Sequence, residues 1–370
     1  MFFSKIKNAK KITEKIKDSI KDVSRLANVS ISTVSRVINK SAKVAPAKEA
    51  AVLKAMEELN FQPNSFAQAL VSKRSNCIGV LVGDLCGGPF FAQMMRGIEN
   101  IILPENKYVI VMSGNHEHDR EKDSIDALLL RRCDALIVHS KALSDEELLE
   151  INKSNIPMVF VNRLIPEIKD LCVWVDISKG LESAMELLIK KGHKRIAYLS
   201  SDEKSNPDAQ SRLEGYKHAL KKANISFDEN LVSYAFPSEN GGSVAVENLL
   251  KKSADFTAVV AYNDAMAIGA VSALEAANLS VPSKVSVIGY DNNPITNYIK
   301  PKLTTVQYPI EEVGMRAAKL ALDILKKRDE QDKKKDNNSD DENVEPFEIS
   351  YEGLKFEPVI VERDSVTEIA

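Results

Sequence analysis

Short apolar runs recur along the chain from about residue 77 to residue 290, and they constrain its fold more than any other feature. The first set reads CIGVLVG, YVIVMS, DALIVHS and PMVFVN, and the second set reads RIAYLS, LVSYAF, TAVVAY and VSVIGY. Segments with helical patterning, such as residues 178–191 and 242–250, separate successive runs. Strands that are apolar throughout and alternate with helices are typical of parallel sheets covered on both faces. Two such sets predict two similar lobes of the α/β class.

Hydrogen-bonding residues follow most of these runs, where ligands bind in open parallel sheets. They are Asp84, Ser140, Asn162, Arg163, Asn263, Asp264, Asp291 and Asn292. Carboxylates accept hydrogen bonds from hydroxyl groups, arginine donates them, and asparagine does both. Phe90, Phe91, Trp174 and Tyr308 are candidates for the flat apolar walls that a sugar ring needs. The pattern therefore favours a polyhydroxylated ligand in a cleft between the lobes.

Each of these residues also has a structural alternative. Asn263 can serve only as the N-cap of the helix that follows it, and Asp84 can cap a loop. Arg163 can pair with a carboxylate at the surface, and the two phenylalanines can belong to the core. Position alone leaves these alternatives open.

The stretch from Ser19 to Val71 has a different pattern, with three short helices and a fourth helical segment. Ser19 and Ser30 are N-cap candidates, the first supported by Asp22 three residues later. The second helix is predicted over 31–39, with one face exposed. That face carries Ile31, Ser32, Ser35 and Arg36. Two such short helices joined by a tight turn are typical of a helix-turn-helix, although an ordinary helical hairpin has the same pattern.

Pro46 suits the first turn of a third helix, where its missing amide hydrogen is not needed. This helix is predicted to run to about Asn60. Its predicted buried face comprises Val52, Leu53, Met56 and Leu59.

Charge is divided unevenly along the chain. Residues 1–75 carry 15 Lys and Arg against 6 Asp and Glu, whereas the remainder carries 35 against 47, so the net charge of −3 combines a basic head with an acidic body. A basic head attracts phosphate backbones, and an acidic body discourages non-specific binding elsewhere. The charge pattern favours DNA as a partner of the head.

The segments VSRLANVSISTVSRVIN, VAPAK and MEELNFQPNSFAQAL together resemble the DNA-binding headpiece of the LacI/GalR family of bacterial repressors. The likeness continues through RRCDALIVHSK, FVNRLIP, KKGHKRIAYL, FTAVVAYNDAMAIGA and VPSKVSVIGYD, which resemble the galactose-repressor branch in particular. The resemblance implies an all-helical helix-turn-helix headpiece with a hinge helix, followed by a two-lobed periplasmic-binding-protein-like core of parallel sheets.

The resemblance and the composition together give the expected domain boundaries. They are 1–18 for a flexible basic extension, 19–63 for the headpiece, 64–75 for the hinge helix and linker, and 76–370 for the effector-binding and dimerisation core. Within the core we expect an N-lobe of about 76–172 and 309–335 and a C-lobe of about 173–308 and 346–370. The almost wholly polar segment 328–346 is predicted to be a loop.

The resemblance also assigns DNA contacts. Ile31, Ser32 and Arg36 are expected to read base edges in the major groove, and Thr33, Ser35 and Asn39 to contact phosphates. In the hinge, Asn64, Ala67 and Leu70 are implied, with Leu70 as an apolar wedge in the minor groove. Ala45 stands where the family usually has a Ser or Thr cap, and Glu49 stands where Arg is common.

For the effector, the resemblance implies contacts from Asn162, Arg163, Arg212, Asn263 and Asp291. It adds support for Asp84, Phe90 and Phe91, and Tyr308 is included as an aromatic candidate. Gly88 stands where relatives often have Asn or Asp. We therefore expect a cleft that holds a small sugar, with one contact at Gly88 either missing or supplied by a main-chain group.

The predicted function is sequence-specific repression relieved by a small sugar, galactose or a related one, in a homodimer that binds a near-palindromic operator on double-stranded DNA. The alternatives are a family member with another effector, such as ribose or a purine, acting as inducer or corepressor, or a sugar receptor without a DNA role. Nothing resembles a P-loop, a GxGxxG motif after a strand, or a GxSxG elbow, so an enzyme is not expected.

Four cysteines show no metal-ligand spacing, so neither a metal nor a cofactor is expected. The N-terminus lacks an apolar signal region and no run approaches the roughly 18 residues of a membrane span, which predicts a cytoplasmic protein without a membrane partner.

Overall fold

The computed structural model of the protein describes residues 19–39, 42–62, 74–85, 89–203, 206–252, 254–337 and 354–369. The chain divides into two compact units, Met1–Asn76 and Cys77–Ala370. The first unit contains three described helices. They are α1 (Ile20–Leu26), α2 (Ile31–Asn39) and α3 (Pro46–Glu58).

Both predicted caps of the first unit are present. The backbone N–H of Ser19 donates to the Asp22 carboxylate (2.9 Å), and the N–H of Thr33 donates to the Ser30 hydroxyl (3.2 Å). A small core of Val23, Val34, Val52 and Ala55 joins the three helices. The prediction that Leu53 is buried was wrong: it is 53% exposed, because it lies about 100° around the helix from Val52.

The second unit contains two six-stranded sheets. The first sheet contains β1 (Cys77–Val82), β2 (Tyr108–Ser113), β3 (Ala135–Val138), β4 (Met158–Val161), β5 (Cys172–Val175) and β11 (Lys355–Phe356), in the order β11-β5-β4-β3-β1-β2. The second contains β6 (Ile196–Ser201), β7 (Val232–Ala235), β8 (Ala258–Ala261), β9 (Ser286–Asp291), β10 (Thr304–Gln307) and β12 (Val359–Val361), in the order β12-β10-β9-β8-β6-β7. Strand pairs are parallel except β10 with β12. The predicted α/β architecture with parallel sheets is confirmed.

Helices connect most of the strands and cover the sheets. They are α4 (Pro89–Ile102), α5 (His118–Leu130), α6 (Asp145–Asn152), α7 (Ile177–Lys190), α8 (Pro207–Lys222), α9 (Glu239–Lys251), α10 (Asp264–Ala276) and α11 (Ile310–Asn337). The central strands are almost wholly buried, for example β3 and β4 at every position, whereas the edge strands β2, β11 and β12 have no fully buried position. This matches strands that are apolar throughout.

The last helix corrects the prediction of a polar loop over 328–346. Helix α11 continues to Asn337, so residues 328–337 are helical, and residues 338–346 lie outside the described part of the chain. The segment KKRDEQDKKK has no glycine or proline and consists mostly of good helix formers. Extending an existing helix avoids the cost of nucleation, so a polar sequence can continue it.

The lobe boundaries also differ from the expected ones. Strand β5 pairs with β4, and β11 pairs with β5, so residues 173–175 and 355–356 belong to the first sheet rather than to the C-lobe. The chain returns to the second sheet only at β12, which pairs with β10. Short strands at a sheet edge leave too weak a sequence pattern to fix such boundaries.

Close packing of α4 against α11 positions part of the cleft. A Cβ atom on Gly97 would meet the backbone oxygen of Glu311, and one on Gly314 would meet the backbone oxygen of Met94. Only glycine permits this approach. Because Phe90 lies at the start of α4 and Tyr308 lies just before α11, the close approach of the helices brings their rings within 5.3 Å.

Candidate ligand cleft and nucleic-acid interface

An aromatic wall crosses from one lobe of the second unit to the other. The ring of Phe90 lies 5.2 Å from that of Phe91 and 5.3 Å from that of Tyr308, and Tyr308 lies 6.3 Å from Tyr290. Edge-on arrangements of this kind are favourable and hold the rings in place. The structure therefore brings together three residues that the sequence indicated, Phe90, Phe91 and Tyr308.

Two histidines extend this wall in the first lobe, and the sequence analysis missed both. His139 directly follows β3, is almost fully buried, and lies 5.0 Å from Phe91 and 5.8 Å from His116 between ring centres. Burial lowers the pKa of both rings, and the neighbouring Lys141 charge lowers each further. Both are therefore neutral near pH 7. The sequence does contain a feature that could have indicated His139, because this histidine is the first residue after a buried strand.

Arg212 is the centre of the second lobe's side of the cleft. Its guanidinium lies 4.2 Å from the ring centre of Tyr262 and 4.0 Å from that of Tyr290, so it is sandwiched between two aromatic faces. It donates to the Tyr262 backbone oxygen, and its Nη2 lies 3.7 Å from Asp291 Oδ1. A buried cation in this setting is fixed in place and faces an acidic partner.

Asp291 ends β9 with an unusual backbone. Its φ is +116°, a region that residues other than glycine seldom adopt and that is often found at functional sites. Burial raises the pKa of Asp291 to about 7, although Arg212 and Lys141 act to lower it. The neighbouring Asp264 is also buried, and its carboxylate accepts from the backbone N–H of Asn293 (2.7 Å) and from the Thr305 hydroxyl (2.5 Å). Asp264 therefore supports the loop rather than facing a ligand.

Asn263 performs the structural role that was its alternative. Its Oδ1 accepts from the backbone N–H of Met266 (2.8 Å) as the N-cap of α10, and its Nδ2 donates to the Pro237 backbone oxygen (3.2 Å). Both ends of the amide already have protein partners. The structure thus places Asn263 at the second lobe's strand ends without leaving it free for an effector.

Arg163 is also engaged by its own lobe. Its Nε donates to Asp145 Oδ1 (2.7 Å) and its Nη1 donates to the Leu143 backbone oxygen (2.7 Å). The preceding residue, Asn162, has a left-handed backbone with φ of 58°, and its buried Oδ1 has no hydrogen-bond partner among the described residues. Of this neighbouring pair, the structure favours Asn162 for ligand contact.

Several predicted residues remain without a structural test. Asp84 lies two residues after β1, at the expected end of the sheet. Gly88 and the hinge residues Asn64, Ala67 and Leu70 lie outside the described residues. Their predicted contacts stay predictions.

The predicted DNA-reading face is displayed on α2. Ile31, Ser32 and Arg36 are exposed, while Val34 on the opposite side is fully buried. The Ser30 hydroxyl lies 2.8 Å from that of Ser32. Two further predicted residues, Thr33 and Ser35, are half-buried, and Asn39 Nδ2 donates to Ser35 Oγ (3.2 Å). The exposed end of α2 therefore matches a helix that enters a major groove.

Ala45 occupies the N-cap of α3 without a side-chain hydrogen bond, as expected from its methyl group. Among the described residues no group of three or more His, Cys, Asp and Glu side chains is placed to hold a metal ion. None of the helices in that part of the chain is long and apolar enough to cross a membrane.

Two comparisons by sequence agree with this architecture. Residues 19–64 match the bacterial regulatory proteins of the lacI family, and residues 185–340 match the periplasmic binding protein-like domain. The chain is 40% identical over 310 residues to the HTH-type transcriptional regulator GalR of Escherichia coli K12, covering 84% of this chain and 90% of GalR. The protein belongs to the LacI family. It is a DNA-binding transcriptional repressor of that family.

Other relatives extend the comparison. The HTH-type transcriptional regulator GalS of Salmonella typhimurium is 41% identical over 304 residues, covering 82% of this chain and 89% of GalS. The lac repressor dimer bound to operator and the anti-inducer ONPF superposes with a TM-score of 0.79 at 24% identity, covering 95% of this chain and 99% of that one. The latter likeness supports the LacI-family fold alone.

Proposed function

We propose that this LacI-family repressor binds a small neutral sugar, D-galactose or a close relative, in the cleft of its core, and that the sugar lowers its affinity for the operator. The relation to GalR and GalS supports this choice of branch. A structurally similar regulator, CelR, was solved with cellobiose and is 27% identical with a TM-score of 0.65, covering 94% of this chain and 100% of that one. A sugar in this cleft suits both comparisons.

One observation carries the proposal: four residues assigned to the cleft each have a buried polar atom without a hydrogen-bond partner among the described residues. These atoms are Nδ1 of His139, Oδ1 of Asn162, Nε of Arg212 and the hydroxyl of Tyr308. A buried polar group left unpaired costs about 1–3 kcal/mol. Three of these residues, His139, Arg212 and Tyr308, belong to the aromatic wall or contact its rings, and their unpaired polar atoms fit a ligand that carries many hydroxyl groups.

The mechanism that follows couples the cleft to the DNA through two states of the core. The exposed side chains of α2 read base edges, with Arg36 suited to guanine, and the hinge residues complete the contact in the DNA-bound state. The sugar releases the repressor only if it binds the other state more tightly. Induction therefore requires that the effector and the operator compete energetically.

We also propose that the working form is a homodimer in the cytoplasm. Among the described residues, the large apolar side chains of the second lobe that are exposed in the single chain include Phe236, Val244, Ile295 and Tyr298. Contact with a second copy of the chain would remove such side chains from water. A symmetric pair of headpieces would require a near-palindromic operator.

The decisive experiment is fluorescence anisotropy of a labelled palindromic operator of the galactose-repressor type, titrated with the full-length protein at fixed salt. We expect binding that weakens when D-galactose is added. Arg36→Ala should weaken operator binding without changing the affinity of the operator-free protein for galactose, while Lys153→Ala, at an exposed position on the core, is the matched control.

Each of the other possible results would indicate a different function or a different mode of regulation. Galactose that tightens operator binding would indicate corepression. Operator binding that no sugar changes would leave a repressor with another effector, such as a purine. Absence of operator binding together with tight sugar binding would indicate a receptor without a DNA role.

A further inference from the structure

The loop between β3 and α6, residues 140–144, is held by a buried carboxylate. Glu121 on α5 has no exposed surface and accepts from the backbone N–H groups of Lys141 (3.1 Å), Ala142 (3.0 Å) and Leu143 (3.2 Å). The Ser140 hydroxyl donates to the same carboxylate (2.5 Å). Charge-assisted hydrogen bonds are strong, and four of them converge here. Glu121 therefore fixes the conformation of this loop.

Arg163 holds the same loop from its carbonyl side. Its Nη1 donates to the backbone oxygen of Leu143 (2.7 Å) and lies 3.4 Å from that of Ser140. The N–H groups of the loop thus meet an anion and its carbonyl groups meet a cation. A loop clamped on both sides presents its one long side chain, Lys141, in a single direction.

That direction leads to the other lobe. Lys141 Nζ lies 2.5 Å from Asp208 Oδ2, and the two side chains are only 16% and 14% exposed. Asp208 lies in the first turn of α8, where its N–H donates to the N-cap side chain of Asn206 (3.0 Å). Burial acts to raise the pKa of Asp208, but the charges of Lys141 and Arg212 outweigh it and lower that pKa. The pair is therefore ionised and joins the two lobes.

The surroundings of this ion pair are those of the cleft. Lys141 interacts electrostatically with Tyr262, and Asp208 interacts with Arg212 and His139. Withdrawing two charges from water is costly, and a pair buried only for stability gains little over apolar side chains. An ammonium carries three donor hydrogens and a carboxylate about four acceptor positions. Because the contact between Lys141 and Asp208 uses one donor and one acceptor, the pair can form further hydrogen bonds with a ligand.

We propose that Lys141 and Asp208 form an additional effector subsite that spans both lobes, in which two adjacent hydroxyl groups of a neutral sugar bridge the ammonium and the carboxylate. Glu121 is the positioning residue of this subsite. Because Asp208 neutralises Lys141, an anionic sugar finds no unpaired cation here, so the subsite selects neutral sugars over phosphorylated ones. This inference rests on the proposed function.

The test is isothermal titration calorimetry of D-galactose and of D-galactose 6-phosphate into the full-length protein and its variants. The double variant Lys141→Met/Asp208→Asn removes both charges and should weaken D-galactose binding by about tenfold or more, since charge-assisted hydrogen bonds are lost. Lys153→Met/Glu150→Gln removes an equally short but exposed ion pair (2.5 Å) and is the matched control. The control should bind as the wild type does.

The positioning role of Glu121 has its own readout. Glu121→Gln should weaken D-galactose binding in the wild-type background and have no effect in the double-variant background, because the loop then has no charge to present. An effect of equal size in both backgrounds would mean that Glu121 acts only on general stability. Thermal unfolding of each variant establishes that it is folded, and Asp208→Asn alone replaces the double variant if that one does not fold.

The outcomes separate this inference from the proposed function. A wild type that binds D-galactose, with a double variant of unchanged affinity, would overturn the subsite and leave the function standing. A wild type that binds no sugar would overturn the proposed function and the subsite with it. Equal binding of D-galactose 6-phosphate would overturn the selection for neutral sugars.

Discussion

The two lobes of the core share one topology and differ in the chemistry that they present to the cleft. Counting inward from the short edge strand, β5-β4-β3-β1-β2 in one lobe corresponds to β10-β9-β8-β6-β7 in the other. At the strand ends, the first lobe supplies neutral rings, Phe91, His116 and His139. The second lobe supplies buried charges, with Arg212 facing Asp291.

The shared fold therefore determines the positions from which side chains can contact a ligand. The identity of the residues just after each strand determines what kind of contact they can make. Neutral rings give a ligand flat contact and tolerate burial at little cost. Buried charges give directional contacts but need partners. Lys141 is the exception in the first lobe, and its partner Asp208 comes from the second.

The largest expected contrast comes from removing the polar group of each lobe while keeping its bulk. Arg212→Met leaves Asp291 without its cation and Tyr262 and Tyr290 without the group between them, so we expect a loss of about 3–5 kcal/mol in unfolding free energy. His139→Phe removes a buried Nδ1 without a partner, so it should be neutral or stabilising in the absence of sugar.

Urea unfolding of both variants measures this contrast, and calorimetry with D-galactose accompanies it. Both variants should bind the sugar more weakly, because each removes a group that faces the cleft. Equal destabilisation by the two substitutions would break the distinction between a neutral and a charged lobe.

Two glycines offer a second, smaller contrast. A Cβ on Gly289 would meet the Asp264 carboxylate and the Leu303 side chain, which are buried and held in place, so Gly289→Ala should cost about 1–3 kcal/mol. A Cβ on Gly83 would meet the rings of His116 and Phe91, and the nearer of the two, that of His116, is partly exposed and can turn aside. Gly83→Ala should therefore cost less. Thermal unfolding of the two single variants decides the order, and a larger loss for Gly83→Ala would contradict it.

Much of this architecture could be predicted from sequence because its signals are local. Apolar runs predicted the strands, and Ser19 and Ser30 predicted the helix starts. The strand-end rule predicted Asp291 and Asn162, whose effector contacts stay predictions, and it also selected Arg163 and Asn263, whose side chains already bond to neighbouring protein groups.

The residues that the sequence did not indicate depend on contacts between distant segments. Lys141 meets Asp208 across 67 positions of sequence and two lobes, and neither residue carries a local pattern that marks the pair. The length of helix α11 was underestimated because its local pattern is polar and predicted a loop. A polar sequence can nevertheless be helical when it continues an existing helix.

The buried charges of the second lobe should also make the free energy of unfolding of the core depend on pH, whereas the neutral rings of the first lobe should not. The pKa of Asp291 is raised to about 7 by burial, against the opposing effects of Arg212 and Lys141, and Asp208 and Asp264 are the acidic groups nearby. Because the carboxyl pKa is raised, the folded state binds more protons than the unfolded state does at intermediate pH. The contribution of Asp291 to the free energy of unfolding is therefore complete below about pH 4 and is lost as the pH rises through about 7.

Comparing wild type with Asp291→Asn isolates this contribution. The difference in unfolding free energy should change by at most about 1.4 kcal/mol per pH unit between pH 4 and 7, with the variant gaining on the wild type as pH rises. Urea unfolding at four pH values measures it. Parallel curves for the two proteins would show that Asp291 titrates alike in the folded and unfolded states.

The smallest expected effect lies on the surface of the first lobe. His118 in α5 lies 2.9 Å from Asp119 and 2.8 Å from Glu147 of α6. Hydrogen bonds to Asp119 and Glu147 raise the pKa of His118, and hydrogen bonds from Ser144 and His118 lower the pKa of Glu147 to about 2. The contribution of His118 to the free energy of unfolding is complete below about pH 6.5 and is lost as the pH rises through the raised pKa of the histidine. The contribution of Glu147 is complete above about pH 4.5 and is lost as the pH falls through the lowered pKa of the glutamate.

His118→Ala should therefore lower the unfolding midpoint slightly between about pH 4.5 and 6.5 and leave it unchanged at pH 9, because exposed ion pairs contribute little. Lys153→Ala removes another exposed ion pair, the one with Glu150 at the end of α6, which contains no histidine, and its effect should not change across that pH range. Neither substitution should alter D-galactose binding, since both lie outside the cleft. A loss of sugar binding in His118→Ala would mean that the neutral lobe depends on its surface charges, and the contrast between the lobes would then fail.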